Sequence, residues 1–120
     1  MIRRKLTPAQ RRRIYQSMHE RCAYCGCEIK YHEMTLDHIK PLACGGADEE
    51  SNLLPACRSC NHRKGTSSLE RFREQVERFP AVLARDSVTY KNAVRFGLVI
   101  PNPHAVKFYF ERLEEETQNG

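Results

Sequence analysis

Residues 22–61 read CAYCGCEIKYHEMTLDHIKPLACGGADEESNLLPACRSCN, and a Cys-x-x-Cys pair stands at each end of this stretch. The first pair is Cys22 and Cys25, and the second is Cys57 and Cys60. Zn²⁺ prefers four soft or borderline ligands in a tetrahedron, and each pair can direct two sulfurs at one ion. We therefore predict that these four cysteines bind a structural Zn²⁺. The alternative explanation is that the thiols are free or redox-active.

Two further cysteines do not share this spacing. Cys27 follows Cys25 by two residues, and Cys44 lies in a glycine-bearing loop. We expect both to be unliganded thiols, because the x-x spacing suits a metal-binding turn better. An exchange of Cys27 for Cys25 as a ligand stays open as an alternative.

The chain between and after the two cysteine pairs predicts a strand, a loop, a second strand and a helix. Residues 34–37 alternate apolar and polar side chains, as in a half-buried strand. A polar loop at 43–51 leads to a second strand at 52–55, and residues 61–64 can form one or two helical turns. The centre of the chain is therefore predicted to be ββα around a metal.

The flanking segments are predicted to be helical. Thr7-Pro8-Ala9-Gln10 has the pattern of a capping box with proline at the first helical position, so a helix is expected over 8–19 with Ile14 and Met18 facing the core. On the other side, Ser67-x-x-Glu70 predicts a helix that ends at Pro80. Further helices are expected over 88–96 and from Asn102-Pro103 onward.

A chain of 120 residues without a recognisable linker or repeat predicts a single α+β domain. Within it we expect a basic N-terminal helix in residues 1–20, the zinc-clamped core in 21–66 and a helical extension in 67–120. A core of this size gains little stability of its own, so a bound metal would contribute to folding.

Basic residues are concentrated near the start of the sequence. Residues 1–30 contain eight Lys and Arg against two Asp and Glu, whereas 31–65 contain four against five and 66–120 contain eight against eight. This excess predicts a polyanionic partner, although a solubilising surface would give the same composition. The candidate contacts among these eight are Arg3, Arg4, Lys5, Arg11, Arg12 and Arg13.

The sequence argues against a secreted or membrane-spanning protein. The first residues are charged with no apolar stretch behind them, and no run approaches the length of a spanning helix. We therefore expect a soluble, cytoplasmic protein with no membrane partner and no disulfides.

An Asp-His pair lies at the end of the first predicted strand. Asp37 offers a hard oxygen ligand for Mg²⁺ or Mn²⁺, and His38 offers an imidazole able to accept a proton near neutral pH. Asn61, directly after Cys60, could add an amide oxygen to the same cation. Taken alone, such a pair is more often a solvated turn than a catalytic site.

Several segments in order carry a more specific pattern: Leu36-Asp37-His38-Ile39-x-Pro41-Leu42, Gly45-Gly46, Ser51-Asn52-Leu53 and Cys57-x-x-Cys60-Asn61-x-x-Lys64-Gly65. Over about residues 20–66 this string resembles the HNH endonuclease family, including its members with paired zinc-binding cysteines. The site is also similar to that of the phage endonuclease VII type. The resemblance implies a small ββα-metal core, also called a His-Me finger, clamped by a four-cysteine zinc site and flanked by helices at both ends.

The resemblance also implies a role for each matching residue. His38 would be the general base that activates water, Asp37 and Asn61 would hold a catalytic Mg²⁺ or Mn²⁺, and Asn52 would hydrogen-bond the loop and orient the hairpin. Arg63 and Lys64 would meet DNA phosphates. The family's final signature residue is His, and here Asn61 takes that position with His62 next to it; His62 is the alternative ligand if it rotates into the site.

The leading interpretation is a metal-dependent DNA endonuclease that leaves 5′-phosphate and 3′-hydroxyl ends. A non-catalytic zinc module that binds nucleic acid or protein is one alternative. A nicking subunit that acts only with phage packaging or recombination proteins, in a bacterial or phage-infected cell, is another. The sequence leaves open the DNA structure or sequence preferred, nicking against double-strand cleavage, the oligomeric state and the roles of Cys27 and Cys44.

Overall fold

The architecture was obtained as a computed structural model that describes residues 6–119. Its centre is an antiparallel pair of strands, β1 (Thr35–His38) and β2 (Leu53–Ala56). In the register, Asp37 is opposite Leu54 and His38 is opposite Leu53. Helix α2 (Arg58–Lys64) follows β2 directly and packs against β1. The predicted ββα core is therefore confirmed, with both strands shifted by one residue relative to the prediction.

Helix α1 (Pro8–Ser17) begins as the sequence predicts. Thr7 and Gln10 form a reciprocal capping box, and the first helical position is proline. Ile14 is buried as expected, and Tyr15 beside it is buried too. The helix ends before the predicted His19, because His19 and Glu20 adopt positive φ angles of 54° and 64° that a right-handed helix does not accommodate.

The C-terminal helix α6 (Tyr109–Asn119) belongs to the same compact unit as the strands, which comprises residues 6–69 and 107–119. The backbone N–H groups of Tyr109 and Phe110 donate to the carbonyls of Tyr24 and Ala23, at 3.1 and 2.9 Å. Phe108 is buried at 2% exposure. The prediction that this helix begins at Asn102-Pro103 is wrong, since residues 101–108 are irregular and run up to the contact with Tyr24.

A second compact unit comprises residues 70–106. It contains nearly all of α3 (Leu69–Glu77), together with α4 (Phe79–Asp86) and α5 (Val88–Arg95), and the last two pack against each other. The sequence predicts α3 and α5 but not α4. The prediction that Pro80 ends a helix is wrong, because it lies in the first turn of α4, where a missing N–H costs no hydrogen bond. The prediction of a single domain over both units stays a prediction.

Across residues 6–119, no helix has both the length and the apolar composition that a membrane span needs.

In the loop between the strands, Gly46 packs closely against the first residues of the same loop. The N–H of Gly46 donates to the carbonyl of Pro41 at 3.0 Å, and a Cβ at Gly46 would lie 1.9 Å from the carbonyl oxygen of Lys40. That oxygen also accepts a hydrogen bond from Asn52 Nδ2 at 2.9 Å, so it cannot move away without breaking a second contact.

We therefore predict that Gly46→Ala lowers the free energy of unfolding by more than about 2 kcal/mol, because the backbone must shift to relieve the overlap. Gly45→Ala is the matched control: its φ of +86° disfavours alanine, but no atom lies within 4 Å of the added methyl group. Its cost should be about 1 kcal/mol. Urea unfolding of both variants measures the difference, and equal costs would contradict it.

Candidate active site

The four predicted cysteines come together. The Sγ atoms of Cys22, Cys25, Cys57 and Cys60, the cysteine cluster, all lie within 4.8 Å of one another, and those of Cys25 and Cys57 are 3.9 Å apart. A tetrahedral Zn²⁺ with bonds of about 2.3 Å places its sulfurs about 3.8 Å apart. The backbone N–H groups of Tyr24 and Cys60 point at Sγ of Cys22 and Cys57, each at 3.4 Å. The donor set therefore fits a thiolate-bound metal ion.

The electrostatics of the cluster also favour a cation. A hydrogen bond from Cys60 holds the pKa of the Cys22 thiol well below its usual value, and the same pairing raises the pKa of Cys60. Burial raises the pKa of Cys25. The crowding of the thiols thus separates their pKa values, and a cation among them would favour the thiolate form. A divalent metal displaces the remaining protons when it binds.

The other two cysteines are exposed. Among residues 6–119, the cluster of possible ligand atoms does not include Cys27. Burial is the main cause that raises the pKa of Cys27, and the nearby thiols of Cys25 and Cys57 raise it further. Cys44 Sγ lies 3.9 Å from the carbonyl of Thr66. The cluster therefore consists of the four cysteines that the x-x spacing predicts.

Asp37 and His38 occupy the end of β1 and are both buried. They line a cavity of about 460 Å³ together with Asn61 of α2 and the start of the loop at Pro41. His62, the alternative ligand, is exposed and does not line this cavity. The structure thus brings the predicted carboxylate, imidazole and amide to one concave surface, with Asn61 rather than His62 facing it.

Two buried donors converge on Oδ2 of Asp37. The hydroxyl of Tyr24 donates one hydrogen bond, and Lys64 Nζ forms an ion pair at 3.0 Å. Lys64 Nζ also donates to the carbonyl of His38 at 2.9 Å, and its side chain has no exposed surface. The predicted contact of Lys64 with DNA phosphate therefore does not fit the structure, because its charge is turned inward toward Asp37.

His38 has a carboxylate partner that the sequence did not indicate. Its Nε2 atom lies 2.8 Å from Oδ1 of Asp48, and the two side chains are 10% and 21% exposed. Asp48 stands among polar residues of the loop before β2, so nothing in the pattern distinguishes it from its acidic neighbours Glu49 and Glu50. Only the folded loop shows which acid reaches the imidazole.

Asn52 makes the loop bonds that the resemblance implies. Its Oδ1 accepts from the N–H of Lys40 at 3.0 Å, and its Nδ2 donates to the carbonyls of Lys40 and Ala47 at 2.9 and 2.7 Å. These bonds fasten the two ends of the loop that carries Asp48. Both polar atoms of the Asn52 amide group therefore bond the backbone of the loop, which gives Asn52 a structural position.

The basic residues predicted to bind DNA are not equivalent. Arg11 donates to the carbonyls of Tyr31 and Met34, at 3.1 and 3.0 Å, and Arg13 forms an ion pair with Glu50 at 2.8 Å. Arg12 is exposed, with its guanidinium 4.6 Å from the centre of the Tyr31 ring. Arg63 is exposed on α2.

The predicted DNA contacts at Arg3, Arg4 and Lys5 lie outside the described residues.

In a comparison with known proteins, residues 22–77 match the family model described as HNH endonuclease. The chain is 39% identical over 57 residues to the CRISPR-associated endonuclease Cas9 of Corynebacterium diphtheriae, covering 44% of this chain and 5% of that protein. It is 43% identical over 47 residues to the Cas9 of Actinomyces naeslundii, covering 38% of this chain and 4% of that protein. The chain therefore spans only a small part of these two relatives.

Two further similarities support the same segment. The SPbeta prophage-derived YoqL protein of Bacillus subtilis, whose name also refers to an HNH endonuclease, is 28% identical over 75 residues, which is 56% of this chain and 33% of that protein. The crystal structure of the Type II-C Cas9 enzyme from Actinomyces naeslundii superimposes with a TM-score of 0.52 at 31% identity, over 56% of this chain and 8% of that one. The fold, the cysteine cluster and these matches together show that the segment over residues 22–77 belongs to the HNH endonuclease family.

Proposed function

We propose that this protein is a metal-dependent DNA endonuclease in which His38 is the general base. The observation that carries the proposal is the meeting of Asp37, His38 and Asn61 on one cavity inside the family-matched segment. A base beside two candidate oxygen ligands for a metal ion is an arrangement that can support hydrolysis of a phosphodiester. The family assignment makes nuclease activity the general expectation; the roles below are specific to this chain.

Zn²⁺ is the proposed occupant of the cysteine cluster. Four cysteine sulfurs would fill the shell of a tetrahedral ion and leave no position for water or substrate, which is the pattern of a structural rather than a catalytic zinc. The ion would join the turn at residues 22–26 to the start of α2, which carries Asn61. In this way it fixes one wall of the cavity without taking part in the reaction.

The second metal proposed is Mg²⁺ or Mn²⁺, held by Asp37 and Asn61. Carboxylate and amide oxygens are hard ligands, and they suit these cations better than Zn²⁺ or Ni²⁺. Such a cation would neutralise charge that develops on the phosphoryl oxygens and stabilise the departing 3′ oxygen. Lys64 keeps Asp37 in place through Oδ2 and contributes a fixed positive charge behind the carboxylate.

His38 would take a proton from the attacking water. With Nε2 donating to the Asp48 carboxylate, the neutral imidazole accepts through Nδ1, and Asp48 stabilises the positive charge that results. The water oxygen bonds to phosphorus as the bond to the 3′ oxygen breaks. The departing 3′ oxygen takes up a proton from bulk water, so the products are a 5′-phosphate and a 3′-hydroxyl.

DNA is the proposed substrate, with Arg12 and Arg63, both exposed, as proposed phosphate contacts. Contacts to phosphate position a protein on nucleic acid without reading its sequence. By their charge, Arg3, Arg4 and Lys5 are further candidates for phosphate contact. The Cas9 relatives and the prophage-derived relative are consistent with action in a bacterial or phage-infected cell.

We predict that the wild type nicks supercoiled plasmid with Mg²⁺ or Mn²⁺ and that EDTA abolishes this activity. His38→Ala should lower the cleavage rate by at least about 100-fold with zinc content unchanged and a cooperative melt retained, since the base is lost while the cysteine cluster stays intact. Gel analysis of plasmid forms over time measures the rate.

His104→Ala is the matched control for His38→Ala, because His104 is an exposed histidine outside the cavity. It should cleave like the wild type. If the folded, zinc-loaded wild type binds DNA but does not cleave it with either metal, a non-catalytic binding module replaces the proposed enzyme.

We also predict that Asp48→Ala lowers kcat by at least about tenfold with little change in KM, because the imidazole loses the carboxylate that orients it. Glu49→Ala removes the neighbouring exposed acid of the same loop and should leave kcat unchanged. Steady-state cleavage of a labelled duplex separates the two constants. Equal kcat values for the two variants would show that Asp48 does not support the base.

A further inference from the structure

Tyr24 connects the cysteine cluster with Asp37. It lies between Cys22 and Cys25 in the sequence, and its side chain reaches Oδ2 of Asp37 on β1. Its backbone N–H points at Sγ of Cys22 at 3.4 Å. One residue therefore touches a proposed zinc ligand with its backbone and a proposed cation ligand with its side chain.

The ring of Tyr24 is held firmly from several directions. The rings of Phe108 and Phe110 contact it edge-on, with centroids at 5.2 and 6.2 Å. Its carbonyl accepts from Tyr109 at 3.1 Å, and the preceding residue, Ala23, donates to Pro55 of β2 at 2.8 Å. Because the residue is 3% exposed, its hydroxyl has little freedom to point elsewhere.

The direction of the hydrogen bond follows from the chemistry of the two groups. An ionised carboxylate oxygen has no proton to donate, so the phenol hydroxyl of Tyr24 donates and Oδ2 of Asp37 accepts. Lys64 donates to the same oxygen from the other side. Two donors on Oδ2 restrain the carboxylate more than either could alone, since rotation about its last bond would break both contacts.

We propose that Tyr24 is a positioning residue that sets the orientation of Asp37 for binding the divalent cation, and that it couples this cation site to the cysteine cluster. The inference rests on the proposed function, in which Asp37 is a cation ligand. With Oδ2 fixed by Tyr24 and Lys64, Oδ1 is the oxygen presented for a metal. The zinc-binding turn then supports the reaction as well as the fold.

The competing explanation is that Tyr24 only fills space beneath α6. Tyr24→Phe separates the two explanations, because it keeps the ring and its aromatic contacts and removes only the hydroxyl. Tyr15→Phe is the matched control: Tyr15 is also buried, at 7% exposure, and its hydroxyl donates to the carbonyl of Ile29 at 2.7 Å, away from Asp37. Both changes remove one buried donor.

The test measures Mn²⁺ binding to zinc-loaded protein from the electron paramagnetic resonance signal of free Mn²⁺. Removal of a group that orients a metal ligand usually weakens metal affinity by about 10- to 100-fold. We expect Tyr24→Phe to raise the Kd for Mn²⁺ by at least about tenfold with zinc content unchanged, and Tyr15→Phe to leave it at the wild-type value. The Mn²⁺ concentration for half-maximal cleavage should shift in parallel.

Asp37→Asn tests the underlying assignment in the same assay. If Asp37→Asn abolishes Mn²⁺ binding while Tyr24→Phe binds Mn²⁺ like the wild type, Asp37 is a ligand that Tyr24 does not position. The inference about Tyr24 is then wrong, whereas the proposed cation site stands. If the wild type does not bind Mn²⁺, or Asp37→Asn binds equally well, the cation site fails and the inference with it. An equal loss of affinity in Tyr15→Phe and Tyr24→Phe would indicate general loosening and overturn the specific coupling.

Discussion

The convergence of four sulfurs joins two parts of the chain that are far apart in sequence. Cys25 and Cys57 stand 32 positions apart, and their Sγ atoms lie 3.9 Å from each other. Everything between them, including both the strand with Asp37 and His38 and the loop with Asp48, is contained in the closed segment. Closing a loop of this length restricts the unfolded chain, and metal binding adds its own free energy to folding. Two strands of four residues each would be marginal without such a constraint.

The buried polar groups around Asp37 form one connected network of hydrogen bonds. Tyr24 and Lys64 share Oδ2 of Asp37, and Lys64 also holds the carbonyl of the next residue, His38. Within the described residues, no buried side-chain nitrogen or oxygen lacks a hydrogen-bond partner. A buried ion pair adds little net stability, because removal of both charges from water offsets most of their attraction. The ion pair between Lys64 and Asp37 is therefore better explained by its effect on the position of Asp37 than by a gain in stability.

The features that could be predicted from the sequence are those that depend on neighbouring residues. The cysteine spacing, the capping box at Thr7 and the two strands are all local patterns, and the structure confirms each of them. The pairing of His38 with Asp48, and of Asp37 with Tyr24 and Lys64, depends on tertiary positions that no periodicity encodes. Lys64 shows the difficulty well, since a lysine at the end of a helix is typical of a solvated or phosphate-binding residue, and here it is fully buried. The helix α4 was missed for a related reason, because Pro80 is compatible with either the end or the beginning of a helix.

The most direct test of this arrangement is X-ray absorption at the zinc edge combined with metal content. We predict one zinc per chain with four sulfur neighbours at about 2.3 Å. The same spectrum should be retained in Cys27→Ser, whereas Cys57→Ser should lose the zinc and the cooperative melt with it. A spectrum with nitrogen or oxygen ligands, or loss of a sulfur in Cys27→Ser, would contradict the four-cysteine site on which the positions of Tyr24, Asp37 and Asn61 depend.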